Sequence, residues 1–119
     1  MSASEADPVT RIACFKFRSN VSASVKGDRT RAFLNLYAQH QDLILGMPKG
    51  GRPSNTALNL TGVEMEKGWD TGFVVQFKSE AARKEFDTDP GHDRLKEETD
   101  PFLEKVFVYD FVEQEGLGW

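Results

Sequence analysis

The sequence predicts one α+β domain in which a four-stranded antiparallel sheet and its helices follow the order βαββαβ. Two runs with apolar residues at alternate positions, 9–17 and 71–77, read as strands, and a third β-prone run, Lys105 to Phe111 (KVFVYDF), closes the domain. Between the strands lie stretches with apolar residues three and four apart, each preceded by a Ser, Asn or Asp able to cap a helix.

The first strand sends Val9, Arg11, Ala13, Phe15 and Phe17 to one face and Thr10, Ile12, Cys14 and Lys16 to the other. Apolar groups on both faces suit a sheet covered by helices on one side and by a partner sheet on the other. Asn20, Ser22 and Ser24 are N-cap candidates for a helix running to about Leu45, with Phe33, Leu36, Tyr37, His40 and Ile44 on one stripe. The Gly- and Pro-dense stretch 46–55 (GMPKGGRPSN) reads as a loop that ends this helix. Residues 57–66 alternate imperfectly around Gly62, the pattern of an edge strand with a bulge or bend. A turn at 67–70 leads into a third strand, 71–77, with Phe73, Val75 and Phe77 on one face. Ser79 caps a short helix through Phe86, and Asp89-Pro90 and Asp100-Pro101 each place an N-cap acid before an N1 proline, restarting helix twice. The whole series is the ferredoxin-like split βαβ arrangement.

A chain of 119 residues, 39 % hydrophobic, can build one core but hardly two. The domain is read as 9–113, with a flexible N-terminus at 1–8 and a C-terminal tail at 114–119. A net charge of -4, with cations scattered among acids, gives no basic field for a phosphate backbone, so nucleic acid is not expected as a partner. The single cysteine, Cys14, permits no disulfide within the chain and reads as a small buried thiol. No signal-peptide pattern opens the chain, and no apolar run approaches the ~18 residues of a bilayer span; the expectation is a soluble, cytoplasmic protein with no membrane partner.

Four segments in the correct order carry a resemblance: VTRIACFKF followed by SNVS, EKGWDTGFVVQFKSEAARKEF, Asp89-Pro90-Gly91-His92, and EKVFVYDF. Across about 9–113 the chain resembles the stress-responsive A/B barrel family, also called dimeric α/β-barrel proteins. The resemblance implies a homodimer with two sheets packed face to face and a pocket in each subunit between sheet and helices. Some members are known as stress-induced proteins, and plant polyketide cyclases of the family close an aromatic ring with a Tyr and a His. The catalytic His of those cyclases falls on His92 and a pocket acid on Asp110. The catalytic Tyr falls on Phe86, which has no proton to give, and two further pocket histidines fall on Arg11 and Thr71. The cyclase mechanism therefore cannot run here unchanged.

The candidate chemistry follows from these positions. Arg11 and Asp110, on neighbouring antiparallel strands, can hold a substrate carboxylate or phenolate, or can staple the sheet edge. His92, at a helix start, is a candidate general base near neutral pH, with a structural role as the plain alternative. His40 shares the stripe of Phe33, Leu36 and Tyr37 and can replace a lost pocket histidine, or can serve the helix end. Tyr37 is a candidate acid or a core residue whose hydroxyl needs a partner. Phe15, Phe33, Phe73, Phe86 and Val108, with Thr71, would line an apolar pocket suited to a hydrophobic or aromatic small molecule. The KGGRPSN loop lacks the spacing of a phosphate-binding loop, and two histidines with one cysteine and no HxxxH or CxxC give no metal site; no cofactor is expected.

Three functions follow. The first is a cofactor-free cyclase, aldolase-type lyase or isomerase acting on a polyketide-like or aromatic metabolite of secondary metabolism. The second is a non-catalytic dimeric stress or small-molecule-binding protein. The third is a cofactor-free monooxygenase, for which Trp69 and the aromatic walls leave room. The outward strand residues Ile12, Cys14, Val74 and Gln76 form a face too apolar for water, which predicts the homodimer independently of the resemblance.

Overall fold

The computed structural model describes residues 6–54, 59–60, 63–64 and 68–119. Its strands are β1 (Val9–Phe17), β2 (Lys49–Gly51), β3 (Asn59–Leu60), β4 (Val63–Glu64), β5 (Thr71–Phe77) and β6 (Leu103–Phe111), and its helices are α1 (Ala23–Ala38), α2 (Glu80–Asp87) and α3 (Pro90–Thr99). Antiparallel pairing joins four strands in the order β2-β5-β1-β6, while β3 and β4 pair with each other. This is the ferredoxin-like α+β sheet expected from the sequence.

Local chemistry sets each helix start. The Ser22 hydroxyl accepts from the Val25 N–H at 3.2 Å, Ser79 does the same for Ala82 at 3.1 Å, and Asp89 accepts from Gly91 at 2.8 Å with Pro90 as first helical residue. The core lies between helices and sheet, where Val9, Val75 and Phe77 meet Leu36, Tyr37, Phe86 and Leu95. Register places Arg11, Ala13 and Phe15 of β1 on that helix-facing side with Val75, Phe73 and Thr71 of β5 and with Asp110, Val108 and Val106 of β6.

Four sequence expectations change. The first helix stops at Ala38 rather than Leu45, because the following backbone joins the sheet: Leu45 N–H donates to Gln76 O and Lys78 N–H to Leu43 O, both at 2.9 Å. Leu43 and Ile44 are buried through this pairing and not as helix residues. The edge strand of the main sheet is Lys49–Gly51, inside the stretch read as loop. Gly50 makes it possible, since a Cβ there would overlap the Gly72 carbonyl and the Phe73 backbone. The predicted edge strand 57–66 contributes only the β3–β4 pair, and its remaining residues, Gly62 included, lie outside the described residues, as do 1–5 of the N-terminus. Asp89-Pro90 starts a helix, but Asp100-Pro101 opens a single 3-10 turn, Asp100–Phe102, because β6 begins at Leu103.

The face of the sheet away from the helices is bare. Val74 is 44 % exposed and Tyr109 54 %, beside Ile12 and Cys14, and Phe107 and Tyr109 stack with centroids 6.5 Å apart. Ile12, Cys14, Val74 and Gln76 share this outer face as predicted, and β6 adds an aromatic row to it.

Candidate functional site

On the helix side, β6 is left partly uncovered, with Val106 and Val108 exposed, and a cavity of ≈ 300 Å³ opens between it and the helices. β1 supplies Arg11, Ala13 and Phe15, β6 supplies Val106 and Val108, and the helices bring Phe33, Tyr37, Phe86, Asp87, His92 and Lys96. A second cavity of ≈ 160 Å³ lies between α1 and the β2–β5 edge, lined by Thr71, Gly50, Arg29 and others. Phe15, Phe33, Tyr37 and Phe73 line both, so the two spaces share an aromatic wall.

Eight of the residues singled out in the sequence thus meet at the larger cavity: Arg11, Phe15, Phe33, Tyr37, Phe73, Phe86, His92 and Val108. Thr71 lines only the smaller one, where its hydroxyl donates to Gly51 O at 3.3 Å. Asp110 reaches the site through Arg11. His40 is absent from both linings, and Trp69 packs instead against Phe107 of the outer sheet face.

Arg11 is buried, 7 % exposed, and its guanidinium makes four hydrogen bonds to two carboxylates. Nε and NH2 donate to the Asp110 carboxylate at 2.8 and 2.9 Å, while NH1 and NH2 donate to Asp87 at 2.8 and 2.9 Å. Asp87 also accepts from Arg83 NH1 at 2.8 Å, and the guanidinium carbon of Arg11 lies 5.1 Å from the Phe77 ring centre. Burial alone would favour a neutral Arg11, but the two carboxylates outweigh it and hold the charge. The pairing of Arg11 with Asp110 across β1 and β6 follows from their register. Asp87 is the partner that sequence reasoning missed; its one signal is the i,i+4 spacing to Arg83 at the end of an amphipathic helix. With both carboxylates in place, Arg11 acts as a staple whose charge they balance.

Phe86 organises the remaining side chains. Tyr37 stacks on it at 4.4 Å and 18°, and His92 meets its edge at 5.3 Å. Burial pushes the Tyr37 phenol up to about 12 against the opposing charge of Arg11, so the hydroxyl keeps its proton at neutral pH. Burial pushes the His92 imidazole down, with Asp87 pulling the other way, so this ring is neutral there. Its Nδ1 is buried and has no hydrogen-bond partner among the described residues. A proton-bearing phenol and a basic imidazole thus flank one ring at one cavity, the division of roles that acid–base chemistry needs. His40 is placed otherwise: Nδ1–H donates to Leu36 O at 2.9 Å and Nε2 lies 3.2 Å from Asp89 Oδ1. Among the described residues no three His, Cys, Asp or Glu gather as metal ligands, and no helix is long and apolar enough to cross a membrane.

The stress responsive A/B barrel domain matches residues 9–113. No curated protein sequence matches the chain. Among solved structures, the hydroxynitrile lyase of Passiflora edulis aligns with a TM-score of 0.76 at 18 % identity, over 92 % of this chain and 96 % of that one. A dimeric ferredoxin-like protein of unknown function from Thermobifida fusca aligns at 0.69 and 16 % identity, over 92 % and 93 %. A Mesorhizobium loti protein of the same domain family, also ferredoxin-like, aligns at 0.62 and 15 %, over 91 % and 98 %. At these identities the structural likeness speaks for the fold.

Proposed function

Since the chain belongs to the stress responsive A/B barrel family, we propose that it is an enzyme of the lyase or cyclase type that makes or breaks a bond beside a carbonyl of an apolar, aromatic compound. The observation that carries this reading is the pairing of a neutral, half-buried His92, whose Nδ1 lacks a partner, with a protonated Tyr37 at one aromatic cavity. His92 is the base and Tyr37 the acid. In the bond-forming direction His92 removes the proton from a carbon acid, the resulting carbanion adds to a carbonyl carbon, and Tyr37 donates its proton to the oxygen as the alkoxide develops. The His92 imidazolium then returns a proton to the Tyr37 phenolate, which restores both groups; in cleavage the neutral His92 takes the alcohol proton and passes it to the departing carbon, with the Tyr37 hydroxyl donating to the oxygen that becomes the carbonyl. Arg11 favours the Tyr37 phenolate left when that proton is given, and Asp87 and Asp110 oppose it. These side chains need no bound cofactor for the steps.

That one similar structure is a hydroxynitrile lyase is consistent with this class of reaction in the fold. The cavity of ≈ 300 Å³ suits a compound of one ring and a short substituent. We further propose that the protein works as a homodimer in which a second copy covers the outer sheet face, as two dimeric proteins of similar fold would suggest. The test is a panel of aromatic aldehydes, ketones and hydroxynitriles. Turnover should fall on the order of 10²- to 10⁴-fold in His92→Ala and in Tyr37→Phe with folding intact. If the panel binds in the cavity and none turns over, the protein is a small-molecule carrier and the enzymatic reading fails.

A further inference from the structure

His40 was singled out as a cavity residue, and its actual contacts give it a different task. A neutral imidazole carries one N–H, and the 2.9 Å contact with the Leu36 carbonyl requires it on Nδ1. Nε2 then turns a lone pair toward Asp89 Oδ1 at 3.2 Å, acceptor against acceptor. With a second proton, both ring nitrogens donate and both contacts are satisfied.

Asp89 is the residue that begins α3. Its Oδ2 accepts from the Gly91 N–H at 2.8 Å, and its backbone carbonyl accepts from the N–H groups of His92 at 3.0 Å and Asp93 at 3.2 Å. The start of α3 also rests on the end of α1, since a Cβ on Gly91 would lie 3.4 Å from Leu36 Cδ1. His40 and His92 meet the same Phe86 ring edge-on, at 5.7 and 5.3 Å. We propose that His40 and Asp89 form a clasp between the end of α1 and the first turn of α3, closed when His40 is protonated, and that His40 is thereby a positioning residue for His92 in the cavity.

The charged groups around His40 favour closure. The hydrogen bond to the Leu36 carbonyl holds its imidazole above the ordinary range, burial opposes this, and Asp89 from the α3 cap and Asp42 from its own 3-10 turn add to it. Around His92, burial depresses the imidazole further than Asp87 and Asp93 raise it, and Arg11 and Lys96 add to the depression. His40 therefore titrates above ~6.5 and His92 below it, so between the two the clasp is closed while His92 is a free base. If His92 is the base, as proposed above, activity has a bell-shaped pH profile with a histidine on each limb.

The experiment needs no substrate, so it stands apart from the test of the enzymatic reading. Ring signals of both histidines and exchange of the Gly91 and His92 amides are followed by NMR against pH in the wild type, in Asp89→Asn and in His40→Gln. Asparagine caps a helix as well as aspartate but carries no charge to hold the imidazolium. In the wild type, amide protection should fall on the order of two- to fivefold as pH rises through the His40 titration, with a second inflection in the His92 signal at the same pH. In Asp89→Asn the fall should vanish or invert, and in His40→Gln protection should not change with pH. Should Asp89→Asn not fold, His40→Gln carries the comparison alone. Protection in the wild type that ignores the His40 titration, or a fall that persists unchanged in either variant, overturns the clasp.

Discussion

Replacing Arg11 by leucine removes a buried cation that four donor contacts tie to two carboxylates. The cost comes less from the lost bonds than from Asp110 and Asp87, left partly buried with their partner gone. Asp87 keeps Arg83; Asp110 makes no other ion pair among the described residues. Breaking one side of a buried pair costs about 3–5 kcal/mol, a large part of the ~5–15 kcal/mol that holds a domain folded. Taking ~4 kcal/mol and a urea slope of ~2 kcal/mol/M, the unfolding midpoint should fall by about 2 M. Replacing all three of Arg11, Asp87 and Asp110 by leucine removes the orphaned charges as well, and should recover most of that loss. The measurement is equilibrium urea unfolding followed by far-UV circular dichroism at constant protein concentration. A single variant within ~1 kcal/mol of the wild type, or a triple variant no better than the single, would refute the staple and return Arg11 to the role of a ligand-binding cation.

The same network sets a pH dependence. Burial pushes the Asp87 carboxyl up, but Arg11 outweighs it and holds the group below the usual carboxylate range, so its contribution is present above ~3.9 and is lost as pH falls through the lower, folded value. Asp87→Asn should therefore cost stability at pH 7 and much less near pH 2, which paired urea midpoints will show; an equal loss at both would contradict the linkage. Val74→Lys, placing a charge at the centre of the bare sheet face, should give a monomer in sedimentation at micromolar concentration, against the dimer proposed for the wild type, with the fold retained. Gly50→Ala should detach β2 from β5 and cost about 2 kcal/mol or more in thermal unfolding, against a few tenths for Gly46→Ala, where the added methyl meets open space.

What could be read from the sequence tracks how locally each feature is encoded. β1, β5 and β6 declare themselves by alternation, and α2 and α3 by Ser79 and Asp89, because side-chain period and capping chemistry act within a few residues. β2 could not be read: three residues, two of them glycine, join the sheet only because β5 offers an edge at which Gly50 fits. The end of α1 escaped for a related reason, since Ile44 continues the apolar spacing of the helix while its backbone is taken by Phe77. At the site, the apolar walls and His92 were legible from position. The second carboxylate on Arg11 and the true station of His40 were not, because each depends on where α2 and α3 dock, and no short sequence pattern records that.

The distribution of chromophores gives each side of the sheet its own light. Neither cavity lining includes a tryptophan among the described residues; Trp69 sits on the outer side, 6.4 Å from Phe107 and with the Lys105 ammonium 4.9 Å from its ring centre, while Trp119 stands free in solvent. Of the two tyrosines, Tyr37 faces the cavities and Tyr109 the outer side. Indole emission is thus a gauge of whatever covers the outer face and is nearly blind to the cavity, whose own reporter is the phenol of Tyr37. Association at the outer face can therefore be followed by indole emission with no label attached and with little interference from the cavity.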